Sequence, residues 1–151
     1  MSRQRWGRVL ACAVGVAVVT AGCGGLSSVS SNQDDVCATL AQMEPAIPPM
    51  LTLTNPEGTN IQARYAAAVY VKMAEDNRSS FNDSQFRLLE RVTTVMEQYQ
   101  EVLVTKGDET PLANNQPAFD SFQMNIVANY RILVDSIGCP TPEFLDQFPK
   151  T

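Results

Sequence analysis

The sequence predicts an all-α protein, a small antiparallel bundle of four to five helices closed by one disulfide. Apolar residues recur at three- and four-residue spacings through the middle of the chain, and no stretch shows the alternation of a half-buried strand. Cys37 lies near the start of the first predicted helix, and Cys139 lies just after the end of the fourth. Four antiparallel helices return the chain to the pole where it began, so these two thiols can meet.

The first helix is predicted to run from Asp35 to Glu44. Its apolar side chains at helical spacing are Val36, Leu40 and Met43. A proline-rich segment, residues 45–58, follows it. We expect this segment to be irregular, because proline lacks the backbone N–H and clashes with the preceding turn of a helix.

The second helix is predicted to begin after Thr59, because Thr59 and Gln62 have the spacing of a capping box. Its large apolar residues recur at helical spacing and define the predicted buried face: Ile61, Tyr65, Ala68, Val69 and Met73.

The third helix has the clearest start signal in the chain. Asn82 is suited to the N-cap, Gln85 completes a capping box, and Phe81 can pack on Phe86 as a hydrophobic staple. Gly107 is suited to the C-terminal cap. The predicted buried stripe is Leu89, Val92, Met96, Tyr99 and Leu103.

The fourth helix is predicted between Pro117, which fits a first turn, and Gly138, which fits a C-terminal cap. Its predicted buried face is Phe119, Phe122, Ile126, Tyr130, Leu133 and Ile137. A short final helix from Thr141 carries Phe144, Leu145 and Phe148.

The N-terminus has the pattern of an export signal. Arg3, Arg5 and Arg8 precede an apolar run from Val9 to Val19, which is too short to cross a bilayer. The run ends in small residues directly before Cys23: Thr20, Ala21 and Gly22.

These residues resemble the lipobox signal of bacterial lipoproteins, in an actinobacterial style, although Thr20 stands where that family favours leucine. The resemblance implies that residues 1–22 are removed and that Cys23 carries acyl chains, which hold the protein on the extracytoplasmic face of the cell membrane. Residues 23–33 then form the anchor and a Gly/Ser-rich tether, and residues 34–151 form the helical domain.

Ordinary secretion after Ala21 is the alternative, and cysteine parity favours lipidation. Secretion leaves three cysteines, whereas lipidation uses Cys23 and leaves Cys37 and Cys139 to pair. A disulfide is the expected state of such a pair outside the cytoplasm.

Charge and composition exclude several functions. Loss of residues 1–22 leaves eight basic and sixteen acidic side chains, a formal charge of −8, so nucleic acid is not an expected partner. The chain contains no histidine, which removes histidine-based catalytic and metal sites.

Glu97 and Glu101 on one helix face, followed by Asp108 and Glu109, could form a cation site or an acid/base pair, but a solvated helix face is the favoured interpretation. We therefore predict a protein with no enzymatic activity, no metal and no cofactor.

Two ligand hypotheses remain open. Tyrosine or methionine can bind haem iron, and the candidates Tyr65, Tyr99, Tyr130, Met73 and Met96 all fall on predicted core stripes, where packing is the favoured role. Residues 46–53 of the proline-rich segment could be a lid over a small apolar cavity, or their apolar side chains could be plain core, which is favoured: Ile47, Met50, Leu51 and Leu53.

The predicted function is that of a lipid-anchored binding or scaffolding protein of the cell envelope, and the alternative is a carrier of haem or another hydrophobic small molecule. A protein partner would require an exposed apolar patch, for which the sequence suggests Phe144, Leu145 and Phe148 together with Phe81.

Overall fold

The computed structural model describes residues 27–149, and side chains from residue 32 onward. The predicted signal peptide and Cys23 lie outside this range. The described chain forms four α-helices: α1 (Ser27–Met43), α2 (Asn60–Asp76), α3 (Asp83–Thr105) and α4 (Gln116–Ile137). Short 3-10 turns lie at Glu44–Ala46, Pro48–Met50, Arg78–Ser80, Leu112–Asn115 and Glu143–Gln147. No strand occurs between residues 27 and 149, so the predicted all-α class is confirmed.

Helix α1 begins at Ser27, eight residues before the predicted start at Asp35. Residues 27–33, predicted as tether, are therefore helical. No glycine or proline interrupts the chain from Ser27 to Met43, and serine costs a helix less than glycine does. The start of the helix is held to the bundle where Gln33 Nε2 donates a hydrogen bond to the carbonyl oxygen of Gly138, at 3.2 Å.

The predicted buried face of α2 is wrong. Tyr65 is 73% exposed and Ile61 is 37% exposed, while Val69 and Met73 are only half-buried. The face that packs inward is the smaller one: Ala63, Ala66, Ala67, Tyr70 and Ala74. Small side chains let α2 lie close to α3, the helix against which it packs most extensively. The larger apolar residues are left on the outer face.

Helix α3 follows its sequence signals closely. Asn82 Oδ1 accepts from the Gln85 N–H at 2.9 Å, and Gln85 Oε1 accepts from the Asn82 N–H at 3.0 Å, which is the predicted capping box. All five residues of the predicted stripe are fully buried. The helix ends before Gly107, whose φ of 85° is the left-handed conformation that glycine adopts readily.

Helix α4 buries most of the predicted residues, with Phe122 and Ile137 only half-buried. Its inner face also includes a polar residue, Gln123, that the apolar pattern did not predict. The helix ends at Gly138, as predicted, with φ of 83°.

The expected exposed patch at the C-terminus is wrong, because Phe144, Leu145 and Phe148, like Phe81, are buried. The ring of Phe144 stacks on Tyr130 with centroids 5.9 Å apart. The Arg131 guanidinium donates to the carbonyl oxygens of residues 145, 148 and 149, which fixes the last turn against α4.

The predicted disulfide is confirmed. Cys37 and Cys139 are bonded, with Cα atoms 5.3 Å apart, and the bridge joins α1 to the residue that follows the cap of α4. The start of α1, the end of α4 and the bridge define one end of the molecule, which we call the disulfide pole.

Candidate functional site

The proline-rich segment is fixed to the bundle by a buried polar network. The Tyr99 hydroxyl donates to the carbonyl oxygen of Met50 at 3.2 Å. Gln123 Nε2 donates to the Tyr99 hydroxyl at 2.9 Å and to Thr52 Oγ1 at 3.0 Å, and Gln123 Oε1 accepts from the Thr52 N–H at 3.0 Å. One amide therefore joins α3, α4 and the segment.

Side-chain bonds also hold the segment to itself. The Thr54 hydroxyl donates to the carbonyl oxygen of Pro48 at 2.6 Å, and Asn55 Nδ2 donates to that of Pro49 at 3.3 Å. Because these bonds tie the end of the segment back to its prolines, the segment is a fixed wall of the molecule.

The candidate lid residues fall into two groups. Ile47, Met50 and Leu51 are fully buried in the hydrophobic core, which agrees with the plain-core interpretation. Leu53 is 56% exposed, so neither interpretation of this residue matches the structure.

An open apolar groove lies on the outer side of the same segment. It is bounded by the end of α1, the proline-rich turns and the outer face of α2, and it has a volume of about 390 Å³. We call it the α2 groove; its lining residues are Gln42, Pro45, Ala46, Pro49, Gln62, Tyr65, Ala66, Val69 and Met73. None of these nine side chains is charged.

The sequence analysis missed the α2 groove because it placed the large apolar residues of α2 in the core. The signal that could have found it is a second apolar stripe on the same helix. Ala63, Ala67, Tyr70 and Ala74 also recur at helical spacing. One of the two stripes has to face away from α3.

A second concave surface lies between α1, α4 and the turn after the disulfide, with a volume of about 420 Å³. We call it the disulfide cleft; its lining residues are Cys37, Ala38, Leu40, Ala41, Glu44, Tyr130, Val134, Cys139, Pro140, Thr141 and Pro142. Glu44 is the one charged residue in this lining. Partial burial raises the pKa of its carboxyl group above the ordinary value.

Tyr130 of the disulfide cleft packs on a second buried tyrosine, Tyr70. The rings of Tyr70 and Tyr130 meet edge to face, with centroids 6.4 Å apart. Burial raises the pKa of both hydroxyls, and the nearby Glu44 carboxylate raises that of Tyr130 further. The hydroxyl of Tyr70 is buried with no hydrogen-bond partner among the described residues.

The candidate carboxylates of α3 do not converge on a reaction centre. Glu97 and Glu101 are exposed and line shallow depressions between α2 and α3. Asp108 pairs with Arg64 at 3.0 Å. Within residues 27–149, no group of three or more Cys, Asp or Glu side chains is placed to hold a metal ion.

The candidate haem ligands do not lie together in one site either. Met96, Tyr99 and Tyr130 are core residues, and the Tyr99 hydroxyl is already engaged by Met50 and Gln123. Tyr65 and Met73 both line the α2 groove, but they are eight residues, or about 12 Å, apart along one helix. They are therefore not placed to bind one iron atom from opposite sides.

No protein-family model, curated protein or solved structure matches this chain. Over residues 27–149, no helix has both the length and the apolar character needed to span a bilayer.

Proposed function

We propose that this chain is a non-catalytic binding protein of the cell envelope, held on the extracytoplasmic face of the membrane by lipidated Cys23. The α2 groove then binds an apolar segment of a protein partner. The observation that carries the proposal is the outer face of α2, where Tyr65, Val69 and Met73 form an uncharged groove beside the proline-rich wall.

The composition of the groove supports binding by burial. A chain with a formal charge of −5 places no charge among nine neighbouring lining residues, so apolar contact supplies the attraction. Exposed tyrosine is a frequent energetic anchor in interfaces, because its ring buries a large area and loses few rotamers.

The dimensions of the groove fit a short helix. Gln62 and Met73 are eleven residues apart on α2, so the groove extends about 16 Å along that helix. A partner helix of about three turns has that length. It can place apolar side chains at i, i+3/i+4 and i+7 against Tyr65, Val69 and Met73.

The walls of the groove support recognition without rearrangement. The buried Gln123 amide and the Thr54 and Asn55 side chains fix the proline-rich wall, and the opposite wall is a helix. A surface that is already ordered loses little conformational entropy when a partner binds.

Photo-crosslinking in intact cells tests the groove. A photoreactive amino acid at position 65 or 69 is expected to form one discrete protein adduct, because both positions line the groove. The same probe at exposed Gln98 on α3 is the matched control and is expected to form none. Combining the probe at position 65 with Met73→Asp is expected to abolish the adduct. The same adduct at position 98, or no adduct at positions 65 and 69, would contradict the proposal.

Lipidation is tested separately, by feeding cells a palmitate analogue and following the label. The wild-type protein is expected to carry label and to fractionate with membranes, while Cys23→Ser is expected to lose both properties. A soluble, unlabelled wild-type protein that begins at Gly22 would establish ordinary secretion instead.

A further inference from the structure

The disulfide cleft contains a carboxylate that has no counter-ion among the described residues. The ion pairs among the described residues are Arg64–Asp108, Lys72–Asp76 and Arg78–Asp83, and none of them includes Glu44. Arg131, next in sequence to a cleft residue, directs its guanidinium to the carbonyl oxygens of residues 145, 148 and 149. A partly buried carboxylate beside apolar side chains loses some of its hydration, which a cation or hydrogen-bond donors can replace.

A hydroxyl group in the same lining is also unused. Tyr130 lines the cleft although it is only 1% exposed, and its hydroxyl takes no part in the hydrogen bonds among the described residues. The Tyr99 hydroxyl, in contrast, makes two such bonds. The Tyr70 hydroxyl, also unpaired among the described residues, belongs to the ring that packs on Tyr130 and is not part of the cleft lining. A hydroxyl with little access to water and no protein partner is unfavourable, so a ligand that offers the Tyr130 hydroxyl a partner is favoured.

The remaining walls of the cleft are almost entirely apolar. Ala38, Leu40, Ala41 and Val134 form its sides, and Pro140 and Pro142 close it beside the disulfide. Its volume of about 420 Å³ falls within the range of about 300–1,000 Å³ that small-molecule sites occupy. An apolar enclosure with a few convergent polar groups is the usual design of such sites.

We propose that the disulfide cleft binds an amphiphilic primary amine, with its ammonium group between Glu44 and Tyr130 and its apolar body between α1 and α4. An ammonium group offers three N–H donors and one positive charge. It therefore neutralises the Glu44 carboxylate and donates a hydrogen bond to the Tyr130 hydroxyl. This second site is independent of the α2 groove, since the two linings share no residue.

The direction of the Glu44 pKa shift agrees with an ammonium group bound beside this carboxyl group. Burial raises the pKa of the Glu44 carboxyl group, and a bound cation would lower it by favouring the carboxylate. Amine binding is therefore expected to weaken as the pH falls through the pKa of Glu44, because the protonated carboxyl group has no charge to offer.

Titration calorimetry with three ten-carbon probes tests the proposal. The exported protein carrying Cys23→Ser, with its disulfide intact, is titrated at pH 7 with decylamine, decanol and decanoate. The two charged probes are kept below their micellar concentrations, and decanol is kept below its solubility limit. Decylamine is expected to bind at least tenfold more tightly than decanol, and decanoate is expected not to bind. Butylamine, with the same head group and a short body, is expected to bind far more weakly than decylamine.

Variants assign the role of each group. Glu44→Gln is expected to reduce decylamine affinity about tenfold, to that of decanol, while decanol affinity stays the same. Glu101→Gln, at an exposed carboxylate on α3, is the matched control and should change neither. Ala41→Phe fills the cleft from its exposed side and is expected to abolish binding of both probes.

Several results would overturn the proposal: equal affinity for decylamine and decanol, unchanged decylamine affinity in Glu44→Gln, binding of butylamine as tight as that of decylamine, or no binding by any probe. Val69→Asp is expected to leave decylamine binding intact, whereas a loss there would place the ligand in the α2 groove and also overturn the assignment. Circular dichroism melting of each variant separates loss of binding from loss of folding.

Discussion

At the scale of single residues, Gln123 joins three parts of the fold: α4, α3 and the proline-rich segment. Its amide is buried on α4 and bonds to Tyr99 of α3 and to both the N–H and the hydroxyl of Thr52. A buried amide is stabilising only while its partners satisfy it, so each of these bonds depends on the others.

We expect Gln123→Leu to lower the free energy of unfolding by about 1–3 kcal/mol, because it removes the acceptor of the part-buried Thr52 N–H and the bond to the buried Tyr99 hydroxyl. Urea denaturation followed by circular dichroism measures the change. Gln98→Leu, at an exposed position of α3, is the control and should stay within about 0.5 kcal/mol of wild type. Equal stability of Gln123→Leu and wild type would show that the network does not hold the proline-rich wall.

The buried tyrosines predict a loss of stability at high pH. Burial raises the pKa of Tyr99 to about 12, although the hydrogen bond from Gln123 lowers it somewhat. Because the folded state keeps its proton longer than the unfolded state, stability is intact below pH 10 and falls as the pH rises toward 12. Two pH units correspond to about 2–3 kcal/mol.

Comparison of wild type with Tyr99→Phe, by urea denaturation between pH 8 and pH 12, isolates this contribution. The variant is expected to be slightly less stable at pH 8, because it loses two hydrogen bonds, and to lose less stability on going to pH 12. Tyr65→Phe, at an exposed ring, is the control and should follow the wild-type pH dependence. Parallel curves for wild type and Tyr99→Phe would contradict the expectation.

At the scale of elements, α2 contributes one face to the hydrophobic core and the opposite face to the α2 groove. It presents small residues to α3 and large apolar residues to the α2 groove. The close packing of α2 against α3 and the presence of the groove thus both follow from the orientation of α2 about its own axis.

A pair of substitutions tests which face of α2 packs against α3. Ala67→Leu adds volume to the packed face and is expected to destabilise the protein by about 1–3 kcal/mol. Tyr65→Ser removes a larger side chain from the exposed face and is expected to cost less than about 0.5 kcal/mol. Thermal melting gives both values, and the reverse order would mean that the predicted face of α2 packs against α3 after all.

The same helix shows how far the sequence alone can go. For α3, one dominant stripe and a capping box agree, so both its start and its buried face were predictable. For α2, two apolar stripes are present, and only the close packing of α2 against α3 selects between them.

Gln123 was not predictable from the sequence, because its partners Thr52 and Tyr99 are brought to it by the fold and have no fixed spacing in the sequence. The disulfide was predictable from cysteine parity, whereas the two concave surfaces depend on side chains from distant segments.

At the scale of the whole molecule, the disulfide ties α1 to the bundle. The helix has few contacts with α2 and α4, and near the pole it is held by the bridge and the hydrogen bond from Gln33 to Gly138. The bridge also forms part of the wall of the disulfide cleft.

Removal of the bridge by the double substitution Cys37→Ser, Cys139→Ser is expected to cost up to about 4.7 kcal/mol, since the closed loop spans 102 residues. Hydrogen exchange should show the largest increase at the N-terminal half of α1. Wild-type protein under a reducing agent is the matched comparison and should behave like the double variant. Unchanged stability in both would mean that packing alone holds α1 in place.

The bridge also makes most of the domain a covalent ring. Residues 37–139 form the ring, and it contains every residue that lines the α2 groove together with Glu44 and Tyr130 of the disulfide cleft. A protease that cuts one loop of this ring, such as the exposed turn at residues 106–109, converts it to a linear chain without separating any part from α1. Both candidate binding surfaces of a nicked molecule would remain covalently joined to its N-terminal segment. A reductant would then release the chain after the cut, which carries Tyr130 and the α4 side of the disulfide cleft.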